Sequence, residues 1–234
     1  MGWVPVGEDG QEGSGTNIVC TTGINVAAGD LIVAYIKWED VSATVTWAGD
    51  EDGSTNELVI GEIGAETDPS GCWAYRLVAQ ADATFLFKVI FNVSVAFSRI
   101  LVYVFHPDSG EVVSLDGVYS LLHGISGDPQ SSNLTASGSD VVAVGAYGEY
   151  QSGVLTNMQI GDVAADDSFV ISLTVIWYKI FTSVPGSIHA QATGGGDPWQ
   201  CGIIVFKSEI SGGPFVPPGY TLLKSMNRNK RLRR

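Results

Sequence analysis

The stretch Phe85-Leu86-Phe87-Lys88-Val89-Ile90-Phe91-Asn92-Val93-Ser94-Val95 decides the fold class. Its odd positions are all apolar, while the even ones are Leu, Lys, Ile, Asn and Ser. A period of two marks a strand with one face on a core and the other toward water or a partner. The same alternation sets Val41, Ala43, Val45 and Trp47 against Ser42, Thr44 and Thr46. It recurs where Ile188, Ala190 and Ala192 alternate with His189, Gln191 and Thr193.

Working outward, residues 31–38, 100–105, 141–146, 169–181 and 203–206 are apolar at both parities. They read as strands covered on both faces, and their Val, Ile, Phe, Tyr and Trp content favours strand over helix. Residues 169–181 are long enough for a helix but read as a strand with a bend or bulge. One helical turn is expected near residues 118–123. The 29 glycines and nine prolines fall between these runs, as turns require. The predicted class is all-β, a jelly-roll-like antiparallel β-sandwich with an extended C-terminal arm.

The chain also reads as a loose duplication. Gly29-Asp30-Leu31-Ile32-Val33-Ala34-Tyr35 is echoed by Ser139-Asp140-Val141-Val142-Ala143-Val144-Gly145, each after a Thr/Ser/Asn-rich stretch. Trp73-Ala74-Tyr75-Arg76 parallels Trp177-Tyr178-Lys179-Ile180, and residues 100–105 parallel 203–206. The expected layout is an N-terminal extension over 1–13, a sandwich over 14–211 with halves 14–106 and 130–207, and a terminal segment over 212–234. The halves could form two small sandwiches or interleave in one jelly roll. Interleaving is favoured because the connecting segment carries Val112, Val113, Leu115, Val118, Tyr119, Leu121 and Leu122, which should pack on the body.

Charge is divided sharply. Residues 1–223 hold 25 acidic and six basic side chains, and the last eleven hold six basic and no acidic ones. A body of −19 repels nucleic acid and anionic membrane; a tail of +6 attracts either. The N-terminus lacks the basic and apolar regions of a secretory leader, so none is expected. Lys88, Asn92 and Arg99 interrupt the most apolar stretches, so no membrane-spanning helix is expected either.

Little points to catalysis. His106, His123 and His189 are far apart, and neither a zinc-type His spacing nor a G-x-S-x-G elbow occurs. Cys20, Cys72 and Cys201 are widely spaced and odd in number, which favours free buried thiols over a disulfide or a zinc site. No enzyme and no cofactor are expected, with calcium near Asp50, Glu51 and Asp52 as the lesser reading against a solvated acidic turn. Of the six tryptophans, Trp38, Trp47, Trp73 and Trp177 are expected in the core. Trp199, in a Gly-rich turn, is the candidate exposed recognition aromatic.

The terminal segment Gly212-Gly213-Pro214-Phe215-Val216-Pro217-Pro218-Gly219-Tyr220 is a proline-stiffened arm. Its apolar anchors are Phe215, Val216, Tyr220, Leu222 and Leu223, followed by Lys224, Arg228, Lys230, Arg231, Arg233 and Arg234. A free basic terminus frays unless something holds it, either the acidic body of an identical subunit or, secondarily, nucleic acid.

This order of elements resembles glycine-rich jelly-roll β-sandwich modules of bacteriophage structural proteins and some bacterial surface proteins. The features that carry the resemblance are the two Asp-led apolar strands, the Trp73-Ala74-Tyr75 strand, and Val102-Tyr103-Val104-Phe105-His106-Pro107-Asp108-Ser109-Gly110. They cover roughly residues 14–207 and bear on fold more than function. The resemblance implies a virion structural protein that forms homo-oligomers and contacts other virion proteins, with no membrane partner. A carbohydrate-binding or host-adhesion module is the alternative.

Overall fold

The computed structural model describes residues 2–52, 56–64, 70–108, 111–116, 119–125, 127–149, 154–194 and 198–210. The first part of the chain contributes β1 (Trp3–Val19), β2 (Ile24–Val26), β3 (Leu31–Trp38), β4 (Val45–Asp50), β5 (Val59–Gly64), β6 (Ser70–Leu77), β7 (Asp82–Phe85) and β8 (Phe87–Pro107). The second contributes β9 (Glu111–Leu115), β10 (Ser120–Gly124), β11 (Leu134–Ala136), β12 (Asp140–Glu149), β13 (Leu155–Ile160) and β14 (Val163–Ala164). It continues through β15 (Asp167–Ile171), β16 (Thr174–Phe181), β17 (Gly186–Ile188), β18 (Ala190–Gly194) and β19 (Trp199–Ile210).

Two large antiparallel sheets dominate this all-β, sandwich-like fold. One runs β1-β8-β3-β6-β5, with β4 also on β8; the other runs β10-β19-β12-β16-β15, with β9 also on β19. Smaller ladders are β2-β7, β11-β17 and β14-β13-β18.

Strand periodicity divides the burial among three cores. On β3, Ile32, Ala34, Ile36 and Trp38 face an outer core shared with Ile24, Phe85, Phe87 and Val89. Leu31, Val33 and Tyr35 face the opposite way, into a seam core with Val142, Val144, Ile176 and Ile204 of the second sheet. On β12, Val141, Ala143 and Tyr147 face a second outer core with Ile160, Ile188 and Ala190. The strands that read as apolar at both parities are therefore the middle strands of two sandwiches stacked face to face.

Substituting β12 for β3, β16 for β6, β15 for β5, β19 for β8 and the β9–β10 edge for β1 turns one strand order into the other. Across the seam β3 lies on β12, β8 on β16, β6 on β19, β1 on β15 and β5 on β10. When the halves are exchanged β3–β12 maps onto itself and the other four map in pairs, while the further contacts of β8 with β15 and of β1 with β12 have no counterpart of equal extent among the described residues. The halves are thus related by an approximate two-fold between β3 and β12.

Several expectations are corrected. The large sheets do not interleave, because each takes all its strands from one side of residue 108. Stacking covers both faces of the central strands just as interleaving would, so the sequence pattern serves both arrangements equally. Residues 3–13 are not an extension but part of β1, which pairs with β8 from Trp3 to Val19. Residues 169–181 reverse rather than bend: Ser172, at φ 52°, turns β15 into β16 between Ile171 and its partner Thr174. The expected helical turn gives way to β10, which starts at Ser120. A bulge between Val45 and Trp47 puts Ala48 on the buried face where Trp47 was expected.

The repeat register also slips. Ile32 pairs with Arg76 and Val104, and its counterpart facing the other outer core, Val141, pairs with Phe181 and Lys207. Asp30 and Asp140 are consequently one residue out of correspondence. Trp73 faces the seam and Trp177 the outer core, since a one-residue slip turns a strand over.

Candidate functional site: a groove at the seam

One end of the seam is apolar and open. A groove of about 310 Å3 lies between β6 and β9, lined by Leu31, Tyr75, Leu77, Val113, Leu115 and Phe206, with Val59 and Arg76 at its rim. Strand pairing builds it: Leu31 lies opposite Leu77, and Leu115 opposite Phe206. Its floor is aromatic, with the Tyr75 and Phe206 rings edge-to-face at 5.3 Å and Tyr119 6.5 Å from Tyr75. Burial raises the Tyr75 pKa above that of a free phenol, and the neighbouring Tyr119 adds to this, so the floor is uncharged. Val59 (56 % exposed) and Leu77 (39 % exposed) carry the apolar surface outward.

The segment joining the halves supplies one wall. Val113, Leu115, Tyr119 and Leu121 pack on the seam core, whereas Val112 and Leu122 are exposed and Val118 is outside the described residues. Beyond β19, β9 has no further strand partner among the described residues, so its outer edge offers backbone donors and acceptors.

The opposite end of the seam is polar. The Tyr35 hydroxyl donates to Gln200 Oε1 at 2.7 Å, tying β3 to β19. Lys37, fully buried, reaches Glu39 at 2.7 Å, and Arg99 reaches Glu12 at 2.9 Å. Single polar residues within apolar strands were the signal for this network, but a lone Lys or Arg does not disclose its partner.

Other candidates resolve individually. Asp50 turns inward against Asp82 while Glu51 and Asp52 are exposed, and all four line one shallow depression with Thr84 and Leu86. Burial, then contact with Asp82, lifts the Asp50 pKa to about 6. Among the described residues, no group of three or more His, Cys, Asp or Glu is placed to hold a metal ion. His106 is half exposed and pairs through Nδ1 with buried Asp30 at 2.5 Å. Asp30 also accepts the Ala27 N–H at 2.8 Å, so it closes the turn before β3. His123 lies on β10 and buried His189 precedes β18, apart from that pair. A second cleft of about 300 Å3 has Tyr147 and Glu149 among apolar walls that include Leu155, Met158 and Val175, and the Tyr147 hydroxyl donates to Glu149.

All three cysteines are buried and free, and burial raises each thiol pKa. Trp199 is not exposed as expected. It begins β19 at 7 % exposure, and its indole lies across Gly124, its partner on β10. Trp3, Trp38, Trp73 and Trp177 are buried, and Trp47 is half-buried. The arm residues Phe215, Val216, Tyr220, Leu222 and Leu223 lie outside the described residues, as do Lys224, Arg228, Lys230, Arg231, Arg233 and Arg234. No known family model matches the chain, and no curated protein matches it.

Proposed function

We propose that this chain is a structural protein of a virus particle, of the bacteriophage kind, that assembles with copies of itself and with other particle proteins. Its sheet faces and its C-terminal arm make those contacts. The observation that carries this reading is the charge contrast, 25 acidic against six basic side chains up to residue 223 and six basic ones alone after it. Oppositely charged ends on identical subunits steer head-to-tail contact and suppress random association. The open apolar groove at the seam supports the same reading, because a subunit that works alone gains nothing from such a surface.

The jelly-roll kinship belongs to this proposal. It draws support from β8, which pairs with β4 over its first residues and with β3 over its last. The sugar-binding alternative needs exposed aromatic platforms, and none of the six tryptophans is exposed.

The test is the solution mass of the full chain and of a form lacking residues 212–234, across a salt series. The full chain should form oligomers that weaken with salt, and the shortened one should be monomeric. An oligomer unchanged by the deletion would overturn the proposal.

A further inference from the structure

We infer that the groove between β6 and β9 receives Phe215 and Val216 from the C-terminal arm of a second copy of this chain. This rests on the assembly reading above and names its contact. The groove has an aromatic floor of Tyr75 and Phe206 and aliphatic walls of Leu77, Val113 and Leu115. That lining suits one aromatic and one small aliphatic anchor.

The arm's backbone fits as well. Pro214 and Pro217 bracket Phe215-Val216. The prolines hold the dipeptide near the polyproline conformation, whose three residues per turn let both neighbouring side chains meet a concave surface, where a strand would point them to opposite faces.

Connectivity points to a second copy. The described chain ends on β19 at Ile210, opposite Glu111, at the end of β9 away from Leu115. To enter its own groove the arm would have to reverse at once. Ser211-Gly212-Gly213 is the one stretch where that turn could form; from Pro214 on, the prolines at 214, 217 and 218 favour an extended course of about 3.1 Å per residue, so a chain that runs straight through the glycines carries Phe215 outward to a neighbouring copy. With Phe215 and Val216 seated, the six basic side chains that follow Leu223 come down on the partner's acidic body.

Cross-linking and a groove variant test this on the full chain. In a Val113→Cys/Val216→Cys protein, mild oxidation should yield a ladder of disulfide-linked dimers and higher species, absent from either single variant. A product that is only internally bridged would overturn the inference. Leu77→Asp, at a partly exposed position, should raise the apparent dissociation constant of the oligomer at least tenfold with the circular dichroism spectrum unchanged. If deletion of 212–234 dissolves the oligomer while Leu77→Asp leaves it intact, the groove is wrongly assigned and the assembly reading survives. If the deletion itself has no effect, that reading falls, and this inference with it.

Discussion

At Asp50, burial and the facing Asp82 raise the pKa to about 6, against about 3.9 for an unfolded aspartate. The folded protein keeps a proton that the unfolded chain has released, so stability falls as pH rises from about 4 to about 6 and stays lower above. Asp50→Asn supplies an amide donor to Asp82 at every pH. It should stabilise the protein by on the order of 2 kcal/mol at pH 7 and by little at pH 4. Urea unfolding at the two pH values checks this, and an equal effect at both would refute it. A second residue-scale device is glycine beneath tryptophan. Gly145 faces Trp177, and a Cβ there would lie 2.5 Å from the indole. The indole is held by its N–H bond to the Gln159 carbonyl at 3.2 Å. Gly145→Ala should therefore cost about 1–3 kcal/mol, visible as a lowered melting temperature that Trp177→Phe partly restores.

Between elements, the Tyr35–Gln200 bond is a polar tie from β3 to β19 across the seam. Tyr35→Phe leaves a buried amide oxygen without its donor and should cost about 1–2 kcal/mol. Adding Gln200→Leu should recover part of that loss in denaturant unfolding, whereas strict additivity would mean that the two side chains do not act together. The strands themselves were legible, because alternation in Phe85, Phe87, Val89 and Phe91 reports burial directly. Double-sided strands such as β3 and β12 were legible as covered on both faces, but not what covered them. Pattern also could not locate the Ser172 reversal, since serine is not the residue expected at a positive φ. Trp199 was misplaced for a related reason. A Gly-rich turn suggested exposure, but its partner Gly124, some seventy-five residues earlier, provides the space that buries it. The groove was half legible: the apolar residues of the connecting segment were identified, while Tyr75 and Phe206 joined them only through sheet stacking.

For the whole molecule, the seam core with Leu31, Tyr35, Trp73, Phe105 and Ile204 is as thoroughly buried as the outer cores. Thermal unfolding should be one cooperative transition rather than two, with calorimetric and van't Hoff enthalpies in agreement. Residues 2–108 and 111–210 produced separately should each self-associate or precipitate through the bare seam face, and co-expression should return a soluble pair. A soluble monomeric half would contradict this. The approximate two-fold between β3 and β12 carries a last consequence, which concerns dilution. Two separate sandwiches meeting through such a face would part at low concentration, as any dimer does. Here a short connection makes the encounter intramolecular, at an effective concentration no buffer can change. Dilution can therefore strip this protein of its neighbours but not divide its body, and the two kinds of contact can be told apart by concentration alone.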